Sequence, residues 1–143
     1  MFIGEYQHSF DEKGRVSVPA KFRVFLKDGA VVTRGLDKCL FLYTLAEWGM
    51  LSEKISSLPI GKASSRAFSR LMLAGAMDAA PDTQGRISVP EYLREYAGIK
   101  KNAVIAGVGN RLEIWDREEW EAYKSGAERT SGEVAEQLGE LGV

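Results

Sequence analysis

One stretch of this chain occurs twice. Asp11-Glu12-Lys13-Gly14-Arg15-Val16-Ser17-Val18-Pro19 returns 71 residues later as Asp82-Thr83-Gln84-Gly85-Arg86-Ile87-Ser88-Val89-Pro90. The match extends forward to Arg23 and Arg94 and backward to Gly4 and Gly75. Asp-x-x-Gly is turn chemistry: the Asp carboxylate caps nearby backbone N–H groups and Gly accepts positive φ. Arg-Val-Ser-Val and Arg-Ile-Ser-Val alternate polar and apolar, the period of a half-buried strand. Pro19 and Pro90 end the strand and suit the first position of a helix. Each copy therefore reads as strand, tight turn, strand, short helix.

The second half continues the plan of the first. Ile3 to Phe10 and Ala74 to Ala80 read as equivalent first strands. Pro19 to Lys27 and the segment after Pro90, stopped by Gly98, read as short amphipathic helices. Val31–Thr33 and Cys39–Tyr43 match Val104–Ala106 and Leu112–Trp115, with the offset grown to 72 by the last strand. Thr44 and Glu47 form a capping box, and Asp116 and Glu119 stand in the same place, so a helix is expected after each. Between the copies, residues 64–73 read as a joining helix with Phe68, Leu71 and Met72 on one face. The resulting division is a first repeat at 1–59, a joining helix at 60–73, a second repeat at 74–123 and an acidic tail at 124–143, weakly helical or disordered.

A repeat of this length holds few large apolar side chains. Two copies sharing one β-rich core is the simplest outcome, and pseudo-twofold symmetry then puts Arg15 and Arg86 in related positions. Two readings of these arginines stand side by side. Each bridges to its turn aspartate and only stiffens a hairpin, or each faces a repeating anionic partner. Lys13, Lys21, Arg23 and Arg34 near the first copy, with Arg94, Lys100 and Lys101 near the second, favour the partner.

Composition narrows the class. The 143 residues are 45% hydrophobic and 27% charged, a globular balance with no run long enough to cross a bilayer. The net charge of −1 is unevenly spread. Residues 116–143 carry eight acids and three bases, which leaves sixteen bases and twelve acids on the rest. A mildly basic body with an acidic tail binds phosphates if its bases share a face. The single Cys39 forms no intrachain disulfide and fits a reducing compartment. The first residues lack the order of a signal peptide. His8, Ser9 and Asp11 lie together, but strand neighbours point to alternate faces and His8 aligns with Ala79, so no catalytic role is expected. No Cys/His cluster suggests a metal, and no cofactor is expected.

With these residues in hand, the sequence resembles the MraZ family, whose two repeats are of the swapped-hairpin, SpoVT-AbrB type. The resemblance rests on the two Asp-x-x-Gly-Arg motifs, on Phe2-Ile3-Gly4-Glu5-Tyr6 and on Leu71 to Gly75, and covers roughly residues 1–123. It implies an α+β fold of two tandem AbrB-like ββαββα repeats sharing a pseudo-twofold, β-barrel-like core. It implies a cytoplasmic, nucleoid-associated bacterial regulator that binds double-stranded DNA at its own promoter, in the division and cell-wall gene cluster, as a ring of identical subunits. In that reading Arg15, Arg86, Lys13, Lys21, Arg23 and Arg94 contact DNA, and Asp11, Gly14, Asp82 and Gly85 set the turns. A structural or antitoxin-like adaptor, with the same fold serving oligomerisation, is the competing function.

Overall fold

The computed structural model describes residues 1–143. The strands are β1 (Phe2–Ser9), β2 (Arg15–Ser17), β3 (Ala30–Arg34), β4 (Leu40–Thr44), β5 (Met77–Asp78), β6 (Arg86–Ser88), β7 (Asn102–Gly109) and β8 (Leu112–Asp116). The helices are α1 (Arg23–Leu26), α2 (Leu45–Ser56), α3 (Ala63–Ser69), α4 (Glu91–Tyr96), α5 (Arg117–Arg129) and α6 (Ser131–Gln137). A 3₁₀ turn at Ala20–Phe22 precedes α1, so the amphipathic segment after Pro19 is split in two.

Six strands form one antiparallel sheet in the order β1-β7-β8-β4-β3-β5, and β2 and β6 form a separate antiparallel ribbon. The pairing exchanges strands between the repeats: β1 lies on β7, and β5 lies on β3. A pseudo-dyad passes between β4 and β8, where Leu40 faces Ile114, Phe41 faces Glu113 and Leu42 faces Leu112. It passes again through the ribbon, where Arg15 faces Ser88, Val16 faces Ile87 and Ser17 faces Arg86. Each pairing becomes itself when the repeats are exchanged.

The larger core lies between sheet and ribbon. Val16, Val18, Ile87 and Val89 from the ribbon segments pack in one cluster with Leu40, Leu42, Leu112, Ile114 and Ile105 from the sheet, together with Phe22, Leu26 and Leu93 from the short helices. The other sheet face carries a second cluster: Phe41, Tyr43 and Trp115 alternate with the first set along their strands and meet Ile55, Phe68 and Met72. The capping side chains behave as expected: Thr44 Oγ1 accepts from Glu47 N at 3.2 Å and Asp116 Oδ2 from Glu119 N at 3.3 Å.

Two expectations change. The core is not a closed barrel. Strands β1 and β5 are the free edges of the sheet, and the chain leaves each to form a ribbon over one face. The first strand of the second repeat shrinks to Met77–Asp78 because the joining helix runs on through Arg70–Ala74 in wider-wound turns. That segment is held on β3, where Thr33 Oγ1 donates to Met72 O at 2.7 Å and Arg34 Nη1 donates to Leu71 O at 3.0 Å. The acidic segment after residue 123 is helical, one of the two forms expected for it. Helix α5 crosses that boundary, and Lys124 Nζ donates to Glu5 Oε1 on β1 at 2.9 Å. No helix is long and apolar enough to cross a membrane.

Candidate nucleic-acid interface

The two turns are built alike. Asp11 Oδ1 accepts from the backbone N–H groups of Lys13 and Arg15, both at 2.9 Å, and Asp82 Oδ1 accepts from Gln84 and Arg86 at the same distances. Each second carboxylate oxygen takes the arginine of its own motif: Arg15 Nε–Asp11 Oδ2 is 2.7 Å and Arg86 Nε–Asp82 Oδ2 is 2.9 Å. The Arg15 and Arg86 backbone N–H groups, foremost among these donors, hold the two carboxyls below the usual aspartate range. The arginine thus stiffens the hairpin through Nε, as the structural reading of the motif requires, and no intramolecular hydrogen bond engages its Nη atoms.

Gly14 and Gly85 close the turns with φ of 75° and 79°. Both are packed over by the other repeat's helix arginine. A Cβ on Gly14 would lie 2.9 Å from the Arg94 guanidinium, and one on Gly85 would clash with Arg23 Nε. Arg23 Nε donates to Val18 O at 2.9 Å and Arg94 Nε to Val89 O at 3.0 Å. Each arginine therefore bonds its own strand end while packing over the opposite turn, a contact between repeats that spacing alone did not reveal.

In an antiparallel ribbon, residues directly opposite share a face, as do residues two apart. Arg15, Ser17, Arg86 and Ser88 therefore lie on one face, and Val16 and Ile87, buried at 1% and 0% exposure, lie on the other. Arg15 and Arg86 are diagonal neighbours, with backbones roughly 7–8 Å apart. Lys13 is exposed at the first turn tip and Gln84 at the second. Lys21 is exposed at the ribbon's flank, its Nζ 5.2 Å from the Tyr6 ring centre and 5.1 Å from that of Phe22. Its counterpart Tyr92 instead donates through its hydroxyl to Gly75 O at 2.9 Å. The candidate residues thus gather around one ribbon from both repeats.

Other basic residues serve the scaffold. Arg34 packs over Tyr92 and Tyr96, 5.7 Å from each ring centre. Arg111 sits 4.4 Å from the Phe41 ring centre and pairs with the buried Glu113 at 2.8 Å, whose other oxygen accepts from Trp115 Nε1 at 3.0 Å. That polar network escaped sequence reasoning, although the acid within Leu112-Glu113-Ile114-Trp115 breaks the apolar character of the strand and could have signalled it. Cys39 is fully buried, its thiol pushed up chiefly by burial and donating to Leu36 O at 3.1 Å. Ser9 Oγ donates to Asn102 Oδ1, and Asp11 is committed to its turn, so neither is arranged around His8 as a triad.

Comparison with known proteins follows the same two-part plan. A family model described as "MraZ protein, putative antitoxin-like" matches residues 1–71 and again residues 72–139, so the second match takes in most of the acidic C-terminal segment. A protein of Natranaerobius thermophilus named "Transcriptional regulator MraZ" is 53% identical over 138 residues, 96% of either chain. Proteins of the same name from Alkaliphilus oremlandii and Acetivibrio thermocellus are 49% and 51% identical, each over 100% of both chains.

Proposed function

The chain belongs to the MraZ family, and from that premise we propose that it is a sequence-specific, DNA-binding transcriptional regulator. The observation that carries the reading is the ribbon: Arg15 and Arg86 share its outward face, each oriented through Nε by an aspartate and each with its Nη atoms unbonded within the protein. A two-stranded ribbon fits the major groove of B-DNA, and guanidinium forks match phosphate oxygens and guanine edges. Arg23, Arg94 and Lys21 surround the face and add positive potential, Lys13 stands at the first turn tip, and Asp11, Gly14, Asp82 and Gly85 hold the turns. The target is double-stranded DNA upstream of the chain's own gene, in the division and cell-wall cluster, and the place of action is the cytoplasmic nucleoid.

A ring of identical subunits follows from affinity. One ribbon neutralises only a few phosphates, each worth about 0.9 in the log–log salt slope. Binding by a single subunit at cellular salt is therefore weak. Tethering several ribbons against repeated DNA elements raises avidity by roughly 10²–10⁴ when the spacing fits. Helix α5, which carries many of the acids, packs on β7 and β8 and not on the ribbon.

The test is fluorescence anisotropy of the full chain with duplex DNA from upstream of its gene and with a scrambled duplex, across salt. Tight, salt-dependent binding to the upstream duplex alone is expected, with Arg15→Ala and Arg86→Ala each lowering the slope by about 0.9. Equal, weak binding to both duplexes overturns the regulator. It turns attention to the protein-binding adaptor, which the antitoxin-like description of the family and the exposed Val134, Leu138 and Leu141 favour.

A further inference from the structure

Resting on that DNA-binding reading, we propose that the two turn tips read different base pairs: Glu12 and Lys13 a G·C pair, Thr83 and Gln84 an A·T pair. The scaffolding of the turns is symmetric to within a few tenths of an ångström. Both aspartates accept the same two backbone N–H groups, both arginines are held through Nε, and both glycines adopt the same φ. Within the turns only the two tip positions differ. All four tip residues are exposed, and none of their side chains makes a hydrogen bond or ion pair within the protein. Within the turns, symmetry is kept where the backbone needs it and broken only at the two exposed tip positions.

The chemistry of the tips separates them from phosphate grips. Glu12 and Lys13 together carry no net charge, and Thr83 and Gln84 carry none, so neither tip gains from the phosphate potential. A lysine donor beside a carboxylate acceptor matches the guanine O6/N7 acceptors and the cytosine N4 donor. A glutamine amide matches adenine N7 and N6, and the threonine methyl and hydroxyl match the thymine methyl and O4. The turns stand at opposite ends of a ribbon of three-residue strands, about 10 Å long. That is well under the ~34 Å pitch of B-DNA, so one groove can meet both tips. A protein with a pseudo-dyad backbone then prefers a site that lacks a dyad. A matched bidentate contact discriminates about 5- to 140-fold, equivalent to about 1–3 kcal/mol.

The experiment is selection from a random double-stranded library by the full chain. Two tip exchanges are run beside the wild type: Glu12→Thr with Lys13→Gln, and Thr83→Glu with Gln84→Lys. Because the Asp–backbone bonds are untouched, equal thermal midpoints are expected for all three. The wild type is expected to enrich a motif with a G·C column and an A·T column in fixed order. Each exchange is expected to convert one column to the other type, giving a motif symmetric about its centre. A wild-type motif left unchanged by both exchanges overturns the tip assignment while leaving the regulator standing. So does a Lys13→Gln single variant whose salt slope falls by about 0.9 with the motif intact, since Lys13 is then a phosphate contact. A wild type that enriches nothing sinks the DNA-binding reading and this assignment with it.

Discussion

The turn glycines are the residues at which backbone and packing demands coincide. An L side chain in the left-handed region costs about 1–2 kcal/mol, and at Gly85 a Cβ would also displace Arg23 from the turn. Gly85→Ala is expected to lower the thermal midpoint by roughly 3–8 °C, read by circular dichroism. An unchanged midpoint would show that the turn relaxes without cost. Titration is equally local. Burial, with Arg23 nearby, depresses the His8 pKa, so the unfolded chain takes up its proton first as pH falls. Stability from this group is full above its ordinary pKa of about 6.5 and declines below it. The Asp11 and Asp82 carboxyls, also depressed, keep their contribution until pH drops below about 4. Midpoints measured from pH 7.5 to 5 should fall in the wild type and fall less in His8→Asn; parallel curves would remove His8 as the cause.

At the scale of elements, the ribbon joins the proposed DNA-facing surface to the core. Its outer face offers Arg15 and Arg86, and its inner face contributes Val16 and Ile87 at the pseudo-dyad. Ile87→Ala leaves a hole where both repeats meet, and a cost of about 2–5 kcal/mol is expected in urea unfolding. The same variant should weaken DNA binding only as far as it unfolds the chain, because no outward group changes. A loss of binding under conditions where the variant remains fully folded would mean that ribbon geometry, and not only its charge, depends on this contact. Close approach also fixes β1 on β7: a Cβ on Gly107 would lie 2.5 Å from Ile3 N, so the strands there meet backbone to backbone.

At the scale of the molecule, strand exchange makes the repeats interdependent. β1 pairs only with β7, and β5 only with β3, so neither repeat holds a complete sheet. Arg23 and Arg94 pack over the opposite turns, and Val18 N and Val89 N donate to Gly85 O and Gly14 O across the same boundary. The full chain should unfold in one calorimetric transition with equal calorimetric and van't Hoff enthalpies. A fragment of residues 1–71 should be unfolded as a monomer, since the partner strands for β1 and β2 are missing. A monomeric fragment with native-like near-ultraviolet circular dichroism would contradict this account.

Much of the architecture is local and was therefore legible. The Asp-x-x-Gly turns, the period-two strands, the helix caps at Thr44 and Asp116 and the duplication itself all depend on interactions within a few residues. Their spacing in sequence carries them. The register between repeats is not local. Val31 and Val104 occupy equivalent positions 73 residues apart while Tyr43 and Trp115 are 72 apart, because loop lengths differ without disturbing the pairing. The shortening of β5 arose because Thr33 and Arg34 hold the joining helix through its carbonyls, and the open sheet arose because β1 and β5 end as separate edges. Sequence alone determined the two turns and the arginines that follow them. Only the tertiary structure decided that β2 pairs with β6, and that pairing brings Arg15 and Arg86 onto one face, since which distant strands share hydrogen bonds is set by the packing of a common core.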